Sequence, residues 1–283
     1  MAVAGVVILY QPEDNVLENV HSYFSVIDKL YVVDNSENQI SFVATTLKNE
    51  EKVKLIYDGK NQGIAKRLNE AASLAIAEGY NWLLTMDQDS KFNEAILSDY
   101  LLCAGSYLYK DNTAMYGVEY ERQISNPECT PKEVVQLITS GSIINLNLFN
   151  AIGGFDEALF IDEVDLEYCY RAITKGYKIV KFSNIFMTHQ LGKVSYHKSL
   201  KNLESTPRTL HSPVRLYYMV RNYLYVAKKY KNTFAENDAY RRTALLNRVK
   251  NNLLYGKNKM ETIRYLIRAW KDSRNGVMGK INS

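Results

Sequence analysis

The sequence predicts an α/β fold: a mostly parallel, doubly wound sheet flanked by helices, with a C-terminal helical extension. Three observations carry this expectation. Short apolar runs alternate with helical periodicities, joined by short polar connections, through the first hundred or so residues. Three of those runs end in aspartate, at Asp34, Asp58 and Asp87. Beyond Pro213 the pattern is helical almost to the end, and no internal repeat or low-complexity tract is visible.

In chain order, residues 3–10 read as an apolar strand. A turn at Gln11-Pro12 follows, then a helical pattern through Leu17, Val20, Phe24 and Ile27. Residues 30–33 and 53–57 read as the next two strands, stopping at Asp34 and Asp58. Asn61-Gln62-Gly63 opens a helix whose apolar face is Ile64, Leu68, Ala71 and Ala75. Residues 82–86 are too short an apolar run for a helix and read as a fully buried strand of a parallel sheet, ending abruptly in Asp87-Gln88-Asp89. A helix is expected near 94–108 and a strand at 113–120. A polar loop over 122–132 and a strand-like stretch over 134–146, broken at Ser140-Gly141, come next. Gly153-Gly154 marks a turn. A helix is expected to start near Asp162, with a core face of Leu166, Cys169, Tyr170 and Ile173 and a stop at Gly176. Residues 177–186 read as a further strand leading to His189, and amphipathic helices are expected at 214–231, 234–255 and 259–272.

Composition narrows the function classes. Cys103, Cys129 and Cys169 are widely spaced and suggest neither a disulfide framework nor a zinc site, which fits a reducing cytosol. The first strand begins without a basic leader, and no apolar stretch approaches the ~20 residues that span a bilayer. The expectation is a cytoplasmic protein, or one peripheral on the inner face of the cell membrane. The net charge of +4 conceals an asymmetry: residues 214–283 hold 16 Lys and Arg against 4 Asp and Glu, and the remainder 19 against 27. An acidic body with a basic tail points to a polyanionic partner for the tail, an anionic lipid surface before nucleic acid, for which no recognition motif exists, or else to a helical subdomain packed on the body with a solvated basic face.

In doubly wound sheets ligands bind outside the carboxyl ends of the strands. That edge is acidic here, so a bare nucleotide diphosphate would be repelled unless a divalent cation lay between them. Asp87 and Asp89, one residue apart, can grip such a cation from one side and leave the other to water and phosphate oxygens. Asn61 fits a helix N-cap that would face a nucleotide. Asp34 fits a turn residue, or a carboxylate accepting the ring N–H of uracil or thymine. Asp162 and Asp165 stand at the N-cap and N3 positions of the expected helix, whose positive end favours the ionised form a general base needs. Asp165 is the better base candidate, while Glu163 and Glu167 point elsewhere on the helix, supporting or solvated. His189 is a structural residue, or, if its strand ends near the acidic pair, a third metal ligand or a phosphate contact.

Taken in order, several segments resemble glycosyltransferase family 2, with the GT-A fold, and more narrowly its bacterial rhamnosyltransferase-like members. They are Val32-Val-Asp-Asn-Ser36, Asn61-Gln-Gly-Ile-Ala65 with Asn69, Thr85-Met-Asp-Gln-Asp-Ser90, Ser140-Gly141, Gly153-Gly-Phe-Asp156, residues 159–171, His189-Gln-Leu-Gly192 and residues 215–222. The resemblance covers about residues 3–225. It implies a GT-A catalytic domain at 1–212, with a nucleotide-sugar half over about 1–110 and an acceptor half over about 111–212, and a basic helical extension at 213–283. It implies that Tyr10, Asp34, Asn61, Gly63, Asp87 and Gln88 lie around the donor nucleotide. Asp87 and Asp89 would form a DXD-type motif for Mg²⁺ or Mn²⁺, with His189 as a metal or diphosphate ligand. Asp165 falls where the family places its base, although Val164 stands where many members have Glu, and Asp162 remains the other candidate. Gly154, Phe155, Asp156 and Arg221 fall on the acceptor side.

The expected activity is a metal-dependent, inverting sugar transfer, with dTDP-rhamnose as donor and a hydroxyl of a cell-surface polysaccharide or lipid-linked oligosaccharide as acceptor. The rivals are a sugar-1-phosphate nucleotidyltransferase and a non-catalytic sugar-nucleotide-binding module. The first would want a glycine-rich phosphate loop where Tyr10 to Asp14 stand.

Overall fold

A computed structural model describes residues 2–120, 128–189, 194–198 and 204–281. The chain divides into two compact units, Met1–Phe160 with Val164–Gln190, and Ile161–Glu163 with Leu191–Ser283.

The first unit is a sheet wrapped by helices. Its strands and helices are β1 Val3–Leu9, α1 Val16–Phe24, β2 Lys29–Asp34, α2 Phe42–Leu47, β3 Val53–Tyr57, α3 Ile64–Ala77, β4 Trp82–Asp87, β5 Ser90–Lys91 and α4 Glu94–Ser106. There follow β6 Thr113–Glu119, β7 Pro131–Glu133, β8 Ser142–Asn145, α5 Leu146–Ile152, α6 Val164–Thr174, β9 Lys178–Phe186 and β10 Thr188–His189. Eight strands form one sheet in the order β3-β2-β1-β4-β8-β6-β9-β7. β1 pairs in parallel with β2 and β4, β2 with β3, and β6 with β9. β8 runs antiparallel between β4 and β6, and β7 antiparallel on β9.

The centre of the sheet is apolar on both faces because helices cover both. Residues of β1, β2 and β4 are almost all buried, which is why their sequences run Val/Leu/Ile without alternation. Beyond β8 the core turns aromatic, with Tyr116 stacked on Phe182 at 5.6 Å and Tyr100 edge-on to the same ring at 6.0 Å.

Three expectations change. Only residues 142–145 of the expected 134–146 strand pair as one, since Asn145 caps α5 by accepting the Asn147 N–H at 3.1 Å. The helix expected from Asp162 starts at Val164, because Asp162 and Glu163 both adopt left-handed backbone, with φ of 64° and 66°. The cysteines are not all unpaired. Cys103 on α4 and Cys129 form a disulfide across 26 residues of sequence, with Cα atoms 5.5 Å apart. Residues 128–130 are carried there by β9: the Thr130 N–H donates to Asn184 Oδ1 at 3.0 Å and the Ser183 N–H to Thr130 O at 3.1 Å. No spacing rule could show this proximity.

The second unit contains a hairpin, β11 Val194–Lys198 with β12 Ser205–Thr209, and three helices: α7 Pro213–Lys229, α8 Ala235–Tyr255 and α9 Lys259–Asn275. Ser212 caps α7 by accepting the Arg215 N–H at 3.2 Å, with Pro213 in the first turn, where its missing N–H costs nothing. Arg221 is wholly buried among Tyr217, Tyr218 and the carbonyl of Gly279, which accepts its Nη1 at 2.8 Å.

Closing a loop of this length stabilises the folded state by about 3 kcal/mol. Reductant should therefore lower the midpoint of chemical denaturation. Burial also pushes the Cys169 thiol well above its usual range, so it should be inert in the folded protein. A thiol reagent should count no reactive sulfur in the native state and one after non-reducing denaturation.

Candidate active site

Because β1, β2, β3, β4, β6 and β9 all point the same way, their carboxyl ends share one edge. The topology thus gathers Tyr10, Asp34, Asp58, Asp87, Tyr120 and the backbone of His189 along it. His189 pairs with Ser90 in the two-stranded β5–β10 ladder, next to Asp89. The side chain of His189, and Gln190 to Gly192 of the same motif, lie outside the described residues.

The turn Asp87-Gln88-Asp89 is half-buried. Its shape is fixed from two sides. Gln88 Oε1 accepts the Tyr10 N–H at 2.8 Å and Gln88 O accepts Asn19 Nδ2 at 2.9 Å, tying the turn to the end of β1 and to α1. On the other side Ser140 Oγ accepts the Asp87 N–H at 3.3 Å and donates to Ser90 Oγ at 2.8 Å, with both serines fully buried. Gly141 donates its N–H to Thr85 O at 2.8 Å with φ of 71°, and a Cβ there would lie 2.7 Å from Met187 Sδ. Only glycine fits that turn.

Tyr120, at the end of β6, joins this edge to α6. Its hydroxyl donates to Ser140 O at 3.2 Å. Burial first, and then the Asp165 and Asp87 carboxylates, push its phenol above the ordinary tyrosine range. One side chain therefore lies within electrostatic reach of both aspartates. Asp165 sits half-buried in the first turn of α6, where the helix's positive end favours its ionised form.

Asp34 is wholly buried, and its oxygens accept the N–H groups of Ser36 at 3.0 Å and Ser41 at 2.6 Å. It shapes the loop after β2. Asn61 Oδ1 accepts Asn35 Nδ2 at 3.0 Å and the Gly63 N–H at 3.1 Å. Asn35 Oδ1 in turn accepts the Gln62 N–H at 2.9 Å and Arg67 Nε at 3.1 Å. The Ile64 N–H donates to Phe160 O at 2.7 Å, so protein acceptors already meet the amides that open α3. Gly63 has φ of 83°, and a Cβ would lie 2.4 Å from the Phe160 ring. Arg67 is buried and also bonds Asp58, Glu70 and Lys60 O. Desolvation pushes the Asp58 carboxyl up, but the bonds from Arg67, Gln62 and the Lys60 N–H together outweigh it and hold it below its usual range.

Gly154, Phe155 and Asp156 form a turn held from two helices. Asn69 on α3 accepts the Phe155 N–H at 2.8 Å and donates to Phe155 O at 2.9 Å. Arg171 on α6 donates to Gly154 O at 2.6 Å and pairs with the fully buried Glu167 at 2.6 Å. Asp156 accepts the Ala158 N–H at 3.2 Å, and the Phe155 ring lies 4.8 Å from Tyr168. Glu167 is thus no solvated helix residue. Within the helical unit, Asp162 does not cap a helix but meets Arg215, with Nε–Oδ2 at 2.7 Å and Nη2–Oδ1 at 2.8 Å. Burial pushes its carboxyl up and Arg215 pulls it down, with burial prevailing. Glu163 pairs with Arg241, and Asn222 Nδ2 donates to Ile161 O at 2.6 Å.

Sequence reasoning missed Tyr120, Ser90, Arg67 and Arg171 as site-forming residues. Arg67 left a readable signal: three residues after Ile64 and four before Ala71, it stands on the apolar face of its helix, where a charge must be paired. Tyr120 left none beyond its place at the end of a strand. Tyr120→Phe should lower the unfolding free energy by about 1 kcal/mol. Ser140→Ala should lower it by about 1–3 kcal/mol, because it leaves buried polar groups of the turn without a partner. Urea denaturation of both variants checks this.

Known proteins resemble the chain in sequence and in fold. Residues 6–101 match the sequence profile of Glycosyl transferase family 2. The chain is 28% identical to "dTDP-rhamnosyl transferase RfbF" of Shigella flexneri, over 97% of its own length and 96% of that protein. Among solved structures it resembles TarS of S. aureus, with a TM-score of 0.54 and 17% identity, over 98% of this chain and 49% of that one. A shorter form, TarS 1-349 in complex with UDP-GlcNAc, matches with a TM-score of 0.55 and 19% identity, over 98% of this chain and 82% of that chain. GalNAc-T7 with UDP, GalNAc and Mn2+ gives 0.61 and 11% identity, over 98% of this chain and 57% of that one. The chain therefore spans about half the length of the larger solved relatives. These neighbours are GT-A glycosyltransferases, and the sheet described above is theirs in kind. Residues 6–101 thus resemble Glycosyl transferase family 2, and the chain over nearly its whole length resembles a dTDP-rhamnosyl transferase.

Proposed function

We propose that the chain moves rhamnose from dTDP-rhamnose to a saccharide hydroxyl on a cell-surface polysaccharide or lipid-linked oligosaccharide, with inversion at the anomeric carbon. The observation that carries this reading is the bonding around Ser140, which accepts both the Asp87 N–H and the Tyr120 hydroxyl and so joins the end of β4 to the end of β6, with Asp165 of α6 within electrostatic reach of Tyr120. The likeness to a dTDP-rhamnosyl transferase supports the choice of donor.

Asp87 and Asp89 are hard oxygen donors on one turn, the chemistry Mg²⁺ or Mn²⁺ takes when phosphates and water complete its shell. Those two carboxylates would hold such an ion, and the His189 backbone pairs with Ser90 beside them. A bound cation would supply Lewis-acid stabilisation of the departing nucleoside diphosphate. The loops built on Asp34, Asn35, Asn61, Gly63 and Arg67 form the nucleotide side of the edge, and exposed Tyr10 stands at its mouth. Gln88 holds the acidic turn in register with β1.

Asp165 takes the proton of the acceptor hydroxyl, whose oxygen attacks the anomeric carbon opposite the leaving diphosphate, so one C–O bond forms as the other breaks. Asp162 is less suited to that role, since its carboxylate is committed to Arg215. Gly154, Phe155 and Asp156 shape the acceptor side through the turn that Asn69 and Arg171 hold. Arg221 contributes by ordering α7 from within the helical unit.

Asp165→Asn should lower turnover about 10²–10⁴-fold and leave dTDP binding with Mn²⁺ intact. Retained turnover would move the base elsewhere. Asp87→Ala should abolish the Mn²⁺-dependent part of dTDP binding in calorimetry. Unchanged, cation-independent binding would contradict the metal role.

A further inference from the structure

α9 is amphipathic in an unusual sense, because it presents apolar residues on two sides. At 100° per residue, Thr262 and Ala269 fall on the side it buries against its neighbours. Tyr265 lies 6.2 Å from the Tyr217 ring of α7, and Asp272 accepts the Tyr217 hydroxyl at 2.7 Å. The opposite side carries Met260, Ile263, Ile267 and Trp270, spaced three, four and three apart, and all face solvent, at 68, 40, 51 and 50% exposure. A soluble helical subdomain gains nothing from such a stripe.

The cations share that side. Arg264, Lys271 and Arg274 fall in the same sector of the helix and are exposed, and the Arg274 guanidinium stands 4.9 Å from the centre of the Trp270 ring. The acidic residues of α9 fall outside it: Glu261 lies on the flank, and Asp272 is held by Tyr217 and Arg268. Hydrocarbon side chains interleaved with cations, with an indole among them, match a surface that offers hydrocarbon and negative charge at the same depth. That is the headgroup boundary of an anionic bilayer. A second copy of this face fits poorly, because it would set these cations against themselves without an acidic partner.

We propose that the outward side of α9 binds the surface of an anionic lipid bilayer, lying flat with Ile263, Ile267 and Trp270 in the interface and Arg264, Lys271 and Arg274 on the lipid charges. The binding is reversible and salt-sensitive, and it does not depend on which sugar the chain transfers.

The test is co-sedimentation of the full chain with vesicles of phosphatidylglycerol and phosphatidylcholine, beside pure phosphatidylcholine vesicles, at low and high salt. The chain should partition onto the anionic vesicles alone, and high salt should release it. Trp270 emission should shift to the blue on binding, and Trp270→Ala should remove the shift. Lys271→Glu and Arg274→Glu should each weaken partition by roughly fivefold or more. Ile263→Ser with Ile267→Ser should weaken it without changing the circular dichroism spectrum or transferase turnover on a soluble acceptor. Equal partition onto neutral vesicles, no partition at all, or variants that bind like the parent would overturn the proposal. So would sedimentation equilibrium showing a dimer that the Ile263→Ser, Ile267→Ser protein loses, since the face would then belong to a second copy.

Discussion

Two carboxylates acting on one half-buried phenol set the terms for the carboxyl edge of the sheet. Asp87 closes a central strand, Asp165 opens a helix that follows it by nearly eighty residues, and Tyr120 feels both. Like charges in a half-buried setting are costly unless something positive or a proton comes between them. In the proposed function a divalent cation carrying a diphosphate would answer that constraint, and a reactive sugar would then lie between the phosphate and the second carboxylate. The neutral phenol donates its proton to Ser140 O rather than adding a third charge. Ser140 also meets the Asp87 amide and Ser90, so one buried serine relates the acidic turn to the end of β6.

The positions of these groups follow from strand direction. β4 and β6 are parallel only because β8 runs antiparallel between them, and that single reversal brings Tyr120 to the same edge as Asp87. The loops after β2 and β3 follow another rule: their polar groups are consumed internally. Asp34, Asn35, Asn61 and Arg67 bond one another or nearby backbone, which gives firm walls rather than a row of waiting donors. Three residues in left-handed backbone, Phe160, Asp162 and Glu163, precede α6. Such conformations cost energy and persist where surrounding bonds over-determine them. Arg215, Asn222 and Arg241 provide those bonds for residues 161–163.

Much of this was legible in the residues. The apolar runs ending in aspartate marked strands whose carboxyl ends share one edge, since burial on both faces forces continuous hydrophobic strands whose ends must be polar. The three C-terminal helices followed from periodicity and lie within three residues of their expected bounds. What the sequence hid was tertiary. The reversal of β8 lies in four residues that read like part of a longer strand. The Cys103–Cys129 pairing depends on how β9 carries residues 128–130 past α4. Asp162 looked like a helix cap because spacing cannot reveal a left-handed φ or a distant arginine. The exposure of Met260, Ile263, Ile267 and Trp270 was equally hidden, because periodicity shows that a helix has an apolar stripe and not which stripe is covered.

The most direct measurement is a crystal structure with dTDP and Mn²⁺, using the anomalous signal of manganese to place the ion. The cation should lie at coordination distance from the Asp87 and Asp89 carboxylates, with the β-phosphate oriented toward Asp165. Manganese held by other residues, or nucleotide bound with its diphosphate away from Asp165, would contradict a single site between the two aspartates.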